Sequence, residues 1–305
     1  MKAGTNLEKI LTEGRFAVTA EAGPPKGASA RVVERKGELL RGCCDAVNVT
    51  DNQTAIVRLS SLAGCVLLRE VGVEPIMQMV TRDRNRIALQ SDILGAVALG
   101  IGNVLCLSGD HQKFGNHPTA KGVFDIDSIQ LIQMLKSLRD ENAFISGDAV
   151  SGDVPVFIGA VENPFADPFE IRLPRLAKKI KAGVDFIQTQ AIFDLPKFCQ
   201  WMEQVTERGL DEQVHIMAGV IPMKSAGMAR YMRDYVSGVT LPAEIMTRME
   251  DAADAKEEGV RITIEIIEQL KEIPAVHGIH IMAVGWEDMV PAIVERAGLL
   301  PRPIL

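Results

Sequence analysis

The stretch EPIMQMVTRDRNRIALQSDILGAVALGIGNVLCLSG, residues 74–109, decides the fold. It contains two short apolar runs, residues 74–80 and 103–109, and a helical pattern over residues 86–100 between them. Apolar strands that alternate with helices are typical of a parallel sheet with both faces covered. The stretch therefore predicts one strand–helix–strand unit.

The same alternation runs through the rest of the chain. Eight strands are predicted, at residues 15–21, 45–50, 74–80, 103–109, 155–161, 185–190, 214–220 and 278–284. Helical patterns are predicted at residues 30–42, 54–71, 86–100, 127–141, 168–182, 194–208, 224–271 (in two or three pieces) and 288–297. Eight such repeats in 305 residues favour an α/β fold of the (β/α)8 TIM-barrel type, with residues 1–305 as a single domain.

The alternative is an open dinucleotide-binding sheet, which needs a glycine-rich turn directly after the first strand. The sequence there is AGPPKG, residues 22–27, which is too rich in proline to open a helix over a pyrophosphate. The closed barrel is therefore the better prediction.

Composition narrows the class of protein. The chain has 33 Lys and Arg against 40 Asp and Glu, and no basic block, so we expect neither nucleic-acid binding nor membrane insertion. Glu8, Lys9 and Glu13 interrupt the apolar residues near the N-terminus, which argues against a signal peptide and for a cytoplasmic protein. The five cysteines form no CxxC pair, so buried free thiols are expected. His111 and His117 could share a metal, but loop packing is the favoured interpretation.

Polar residues end most of the predicted strands. In TIM barrels the site is built at the C-terminal ends of the strands, so these residues are the candidates. They are Glu21, Thr50 with Asp51 and Asn52, Gln78, Ser108 to Asp110, Glu162 with Asn163, and Gln188 with Gln190. No P-loop, nucleophile elbow or HExxH motif is present, so this rim is predicted to hold a cofactor that supplies the chemistry.

The motifs at the strand ends resemble those of the methylenetetrahydrofolate reductase family. The matching stretches, in the family's order and spacing, are AEAGPPKG (20–27), DAVNVTDNQTA (45–55), IMQMVTRDRNR (76–86), NVLCLSGD (103–110), KAGVDFIQTQAIFD (181–194), AGVIP (218–222) and GIHIMAVGWE (278–287). The second stretch is similar to forms from anaerobes that use the Wood–Ljungdahl route.

The resemblance implies reduction of 5,10-methylenetetrahydrofolate to 5-methyltetrahydrofolate by hydride from N5 of a reduced flavin. Matched to the family's motifs, Glu21 is the general acid at N10, Asp110 stabilises the iminium charge, and Gln190 binds the pterin. The implied flavin contacts are Thr50, Gln78, Ser108, Gly109, Asp110 and Lys179. The resemblance implies FAD, with FMN as the alternative. The sequence contains no metal-ligand spacing, so no metal is expected.

Glu21 fits the role of acid only in an unusual environment. To donate a proton near neutral pH, its pKa must lie roughly 2 to 3 units above the ordinary value of about 4.3. Burial against the ligand rings would raise it, whereas Asp110 is expected to stay ionised on a more polar loop. For Lys179, an ordinary surface position on a helix is the alternative to flavin binding.

The chain departs from the family's motifs at three positions that bear on the electron donor. Many relatives carry an arginine where this chain has Ser108 and an aromatic near Ala226, and some carry an arginine at the position of Trp286. These departures motivate an iron–sulfur partner protein as electron donor, with NAD(P)H as the alternative.

A pterin-binding methyltransferase barrel and a non-catalytic scaffold subunit are the competing functions. An oligomer is expected, and GLLPRPIL (298–305) is predicted to dock either on a partner or on the barrel base.

Overall fold

The computed structural model describes residues 1–236 and 238–303. Eight parallel strands close into one barrel in chain order, and the last strand pairs with the first to complete it. The strands are β1 (Ala17–Ala22), β2 (Ala46–Val49), β3 (Pro75–Val80), β4 (Asn103–Leu107), β5 (Phe157–Glu162), β6 (Phe186–Ala191), β7 (His215–Val220) and β8 (Gly278–Ile281). The predicted (β/α)8 fold is confirmed, and each strand overlaps its predicted run.

Helices surround the barrel. In the described part of the chain they are α1 (Asn6–Thr12), α2 (Ala30–Leu40), α3 (Ser61–Glu70), α4 (Arg86–Ala98), α5 (Ser128–Lys136), α6 (Arg172–Ala182), α7 (Leu195–Glu207), α8 (Ala226–Tyr235), α9 (Ala243–Asp251), α10 (Ala255–Lys271) and α11 (Val290–Arg296). The long pattern over residues 224–271 forms three helices, and Ser237 within it lies outside the described residues.

The predicted start of the helix over residues 54–71 is wrong. Helix α3 begins only at Ser61, where the hydroxyl of Ser60 accepts a hydrogen bond from the Ala63 N–H at 3.3 Å. Ahead of it, Thr54 and Ala55 have φ of 57° and 54°, in the left-handed region that does not continue a right-handed helix. Residues 54–60 therefore belong to the loop after β2, on the side of the barrel where the strands end.

Helix α1 closes the N-terminal end of the barrel, and the sequence patterns did not predict it. Its buried Leu7 and Ile10 pack against inward-facing strand residues, among them Phe157 and Phe186, whose rings stack at 5.1 Å. This apolar plug leaves the opposite end of the barrel as the place for a site.

Helix α5 shows why the outer layer folds as the pattern predicts. Asp127 accepts a hydrogen bond from the Gln130 N–H at 2.8 Å, and the Gln130 side chain in turn accepts from the Asp127 N–H, which forms a capping box. Ile132 and Leu135 on its inner face, and Leu138 just beyond it, are fully buried. The predicted apolar stripe is therefore the face that packs on the sheet.

The segment after α11 lies against the barrel base. Arg302 donates to both carboxylate oxygens of Asp45, at 2.6 and 3.0 Å, and to the carbonyl of Phe16 at 2.8 Å. Of the two expected docking places, the described residues therefore occupy the base; Ile304 and Leu305 lie outside them.

The cysteines and the helices bear on two expectations from the sequence, buried free thiols and no membrane insertion. All five cysteines are free, and Cys43, Cys65 and Cys106 are buried. None of the helices in residues 1–236 and 238–303 combines the length and the apolar character that a membrane crossing requires.

Candidate active site

Two adjoining cavities lie at the C-terminal ends of the strands. The first, which we call the glutamate cavity, has a volume of about 260 Å³ and is lined by Glu21, Gln190 and His280 among others. The second, the cation-lined cavity, has a volume of about 380 Å³ and contains Arg82, Arg175 and Lys179 in its wall. Gln78, Leu107 and Val161 line both cavities, so the two can hold parts of one continuous ligand assembly. A cavity of about 400 Å³ at the other end of the barrel, beside Gly102 and Pro155, contains none of the predicted site residues.

Glu21 lies at the end of β1 and points into the barrel, because inward-facing positions alternate along a strand. Its Oε2 accepts a hydrogen bond from Gln78 Nε2 at 3.4 Å. Burial raises the pKa of Glu21 to about 7, and the nearby carboxylate of Glu287 raises it further, while the Gln78 hydrogen bond and the ammonium of Lys36 oppose the shift. A pKa near 7 is the condition for a carboxyl group to donate a proton at neutral pH.

Gln190 faces Glu21 across the glutamate cavity from β6. Its amide oxygen accepts a hydrogen bond from the Ala191 N–H at 3.0 Å, which fixes the side chain at the rim. Val161 supplies an apolar wall between the cavities and is 39% exposed although it lies within strand β5. This combination of an apolar wall and amide edges suits a flat, polar heterocycle.

A layer of buried polar side chains lies beneath the glutamate cavity. Asn48 and Gln188 exchange two amide hydrogen bonds, at 2.7 and 3.1 Å, and Gln188 Nε2 also donates to Thr19 Oγ1 at 3.2 Å. Thr19 Oγ1 in turn lies 3.0 Å from Nδ1 of His280, and burial lowers the pKa of His280 to about 3. Of these four residues only Gln188 was a candidate from the sequence, although all share the inward-facing alternation of Glu21.

Lys179 of α6 is not a surface residue, so that interpretation is wrong. Its side chain is only 5% exposed, and its ammonium pairs with the buried carboxylate of Glu162 at 2.6 Å. Burial lowers the pKa of Lys179, and the Glu162 carboxylate opposes the shift. The predicted strand-end residue Glu162 therefore holds Lys179 in the wall of the cation-lined cavity.

Arg82, in the loop after β3, was not among the sequence candidates. It is 2% exposed, and its Nη1 and Nη2 donate to the carbonyls of Asp110 at 3.0 Å and Asn52 at 3.1 Å. Its Nε also donates to Asp83 at 2.8 Å. One buried guanidinium thus joins the loops that follow β2, β3 and β4. Its position inside the motif TRDRN, rather than at a strand end, explains why it was missed.

The loop after β4 carries Ser108, Gly109 and Asp110, which all line the cation-lined cavity. Asp110 is exposed, and its Oδ2 accepts a hydrogen bond from the Thr54 N–H at 3.0 Å. Gly109 has φ of 85°, and a Cβ there would lie 3.1 Å from Val80 Cβ. The hydroxyl of Ser108 accepts from the N–H of Ser128 at 3.3 Å, which ties this loop to the start of α5.

Thr50 is the one predicted residue that lines neither cavity. It is buried and donates its hydroxyl proton to the side chain of Gln53, which does line the cation-lined cavity. The other residues that the family's motifs imply line one cavity or both; they are Glu21, Gln78, Ser108, Gly109, Asp110, Lys179 and Gln190. Among residues 1–236 and 238–303, no group of three or more potential ligand side chains could hold a metal ion.

Comparison with known proteins identifies the family. A sequence model of the methylenetetrahydrofolate reductase family matches residues 6–298. The chain is 26% identical over 237 residues to methylenetetrahydrofolate reductase 2 of Saccharomyces cerevisiae, covering 76% of this chain and 38% of that protein. It is 24% identical over 207 residues to 5,10-methylenetetrahydrofolate reductase of Escherichia coli, covering 66% of this chain and 62% of that protein. It therefore spans only about two fifths of the length of its yeast relative.

A solved structure has the same fold. It is an uncharacterised protein from Clostridium thermocellum that binds two copies of 5-methyl-5,6,7,8-tetrahydrofolic acid. The TM-score is 0.66 at 13% identity, with 96% of this chain and 98% of that chain covered. The family match extends over nearly the whole chain and agrees with the resemblance of the strand-end motifs. The chain belongs to the methylenetetrahydrofolate reductase family.

Proposed function

We propose that the protein reduces 5,10-methylenetetrahydrofolate to 5-methyltetrahydrofolate with a bound flavin. The observation that carries this proposal is the position of Glu21. A carboxyl group with a pKa of about 7 lines a cavity that shares a wall with a second cavity bordered by three basic side chains. An acid beside the substrate and a cation-rich site for a nucleotide cofactor are the two parts that this reaction needs.

Glu21 supplies the proton. Opening the five-membered ring of the substrate requires protonation of N10, and a carboxyl group with a pKa near 7 is both protonated often enough and acidic enough to donate at neutral pH. Gln78 positions the carboxyl group through its amide hydrogen bond. Gln190 binds the edge of the pterin in the glutamate cavity, and Asp110 stabilises the iminium charge from the adjoining cation-lined cavity.

The lining of the cation-lined cavity fits the phosphate-bearing end of a flavin nucleotide. Arg82, Arg175 and Lys179 lie in its wall beside Asp51 and Asp110. Arg82 is paired with Asp83 and Lys179 with Glu162, so among the described residues Arg175 is the basic side chain of this wall without an ion pair. Gly109 turns the loop through a positive φ, and the chain there passes close to Val80 of β3. The flavin, when bound, supplies the hydride. We propose FAD; release of FMN on denaturation of the purified protein, identified by mass spectrometry, would contradict that choice.

We also propose that a partner protein with an iron–sulfur cluster reduces the flavin. The support comes from two positions at which the chain differs from relatives. Ala226 at the start of α8 lies where many relatives have an aromatic residue, and Trp286 after β8 lies where some have an arginine. Stoichiometric bleaching of the flavin of the isolated protein by NADH alone, within seconds, would contradict this donor.

An anaerobic half-reaction tests the proposed activity. The flavin of the purified protein is reduced with dithionite, methylenetetrahydrofolate is added, and absorbance near 450 nm is followed by stopped flow. The proposal predicts reoxidation together with formation of 5-methyltetrahydrofolate. A flavin that stays reduced would contradict it, and a colourless protein that binds folate would favour a methyltransferase.

A further inference from the structure

The polar layer beneath the glutamate cavity connects strands that are far apart in the sequence. Asn48 of β2 contacts Gln188 of β6 across the barrel, Gln188 contacts Thr19 of β1, and Thr19 contacts His280 of β8. The glutamate cavity is lined by Gln188 and His280 but by neither of the other two. The layer therefore has a ligand-facing part and a supporting part.

The hydrogen bonds of Thr19 bear on which ring nitrogen of His280 carries the proton. A hydroxyl has one proton to donate and two lone pairs that accept. The Thr19 hydroxyl donates to the carbonyl of Ile279 at 3.3 Å and accepts from Gln188 Nε2 at 3.2 Å. Thr19 Oγ1 also lies 3.0 Å from His280 Nδ1, and with the hydroxyl proton on the Ile279 carbonyl this contact takes its proton from the ring. This arrangement favours a proton on Nδ1 and an acceptor at Nε2.

Within the described residues, Nε2 of His280 has no hydrogen-bond partner, and the ring lines the glutamate cavity. An acceptor that faces the cavity can take a hydrogen bond from a donor group of an occupant. Glu21 and His280 are the titratable cavity residues that point into the barrel from the adjoining strands β1 and β8. A charged imidazolium beside Glu21 would favour the ionised carboxylate and remove the acid, so the ring must stay neutral for Glu21 to work.

We propose that His280 is a substrate-binding residue whose neutral imidazole accepts a hydrogen bond at Nε2 from an N–H group of the folate. Thr19 is the positioning residue that holds the ring in this tautomer, Gln188 donates to Thr19, and Asn48 holds Gln188. This inference rests on the proposed function, since it concerns the same cavity, and it adds a residue and a tautomer that the strand-end motifs did not include.

Two variants separate the ligand-facing nitrogen from the supporting one. His280→Asn retains an amide near Nδ1 for Thr19 but removes Nε2, whereas His280→Gln places an amide near the position of Nε2. Loss of one hydrogen bond predicts about tenfold weaker binding of 5-methyltetrahydrofolate by His280→Asn, measured by titration calorimetry. His280→Gln should restore most of the affinity. His215→Gln, at the opposite end of the barrel, is the matched control and should bind like the wild type.

Nitrogen-15 NMR of the imidazole groups provides a readout that does not depend on activity. The His280 signals, assigned with His280→Asn, should show a neutral ring with the proton on Nδ1, and the Nε2 signal should move when the folate binds. Thr19→Val should disturb this tautomer, and Thr19→Ser should restore it. Unchanged affinity in His280→Asn, or a proton on Nε2 in the free protein, would overturn the inference alone. A wild-type protein that binds no folate would overturn the proposed function as well.

Discussion

Replacement of Glu21 by glutamine should stabilise the protein at alkaline pH. The carboxyl group has a pKa of about 7 in the folded protein and an ordinary value of 4.5 in the unfolded chain. Between these two values the folded state binds more protons than the unfolded state, so the free energy of unfolding falls as the pH rises. Above pH 7 the wild type therefore carries the whole cost of an ionised carboxylate in the glutamate cavity.

The size of this cost follows from the difference between the two pKa values. A difference of about 2.5 units, at about 1.36 kcal/mol per unit, corresponds to about 3 kcal/mol. Glutamine has nearly the same shape and no charge, so Glu21→Gln removes this cost at pH 8. At pH 4, where the folded wild type is protonated and its unfolded chain mostly so, the variant and the wild type should be about equally stable.

Urea denaturation of the purified proteins at pH 4 and pH 8, followed by circular dichroism, measures the difference. Glu203→Gln on the exposed face of α7 makes the same chemical change at the surface and is the matched control. A gain for Glu21→Gln of about 3 kcal/mol that is specific to pH 8 would support the assigned environment. No gain at pH 8, or an equal gain at both pH values, would refute the reasoning.

Three further predictions concern the same rim. Gly109→Ala should lower the free energy of unfolding by more than Gly147→Ala. Both positions have positive φ, which costs an alanine about 1–2 kcal/mol, but only at Gly109 would the new Cβ crowd its neighbours. Equal losses of stability in urea denaturation would contradict this. Lys179→Met should cost about 3–5 kcal/mol because it leaves Glu162 buried without its partner, and adding Glu162→Gln should recover part of that loss; a double variant no more stable than the single one would count against the pair. Lys36→Met removes a positive charge that lowers the pKa of the cavity glutamate, so the alkaline limb of the pH–rate profile should move to higher pH; an unmoved or acid-shifted limb would be inconsistent with that charge.

The barrel could be predicted because its strands are buried on both faces. Such strands appear in the sequence as continuous apolar runs, as in residues 103–109, and all eight overlap the strands of the structure. The loop at residues 54–60 could not be predicted in this way. Its positive φ values are stabilised by a contact with another loop, the hydrogen bond from the Thr54 N–H to Asp110, 56 residues away.

The residues of the candidate site likewise fall into those that local sequence patterns predict and those that depend on contacts between distant strands and loops. Glu21, Gln78 and Gln190 could be named because they end strands and point into the barrel. The partners that set their chemistry depend on closure of the barrel. His280 contacts Thr19, which is 261 residues away in the sequence, and no local pattern predicts that pairing. Arg82 lies in a polar loop where its burial becomes visible only when three loops converge on it.

The pH dependence of the half-reaction, in the wild type and in Glu21→Gln, tests the central claim most directly. With dithionite-reduced flavin and excess methylenetetrahydrofolate, the wild-type rate constant for reoxidation should be constant at low pH and fall above about pH 7. Glu21→Gln should retain its flavin but react at least about a hundredfold more slowly, because general acid catalysis contributes about 10²–10⁴-fold. A variant that reoxidises at the wild-type rate, or a wild-type rate that does not change between pH 6 and 9, would contradict the assignment of Glu21 as the acid.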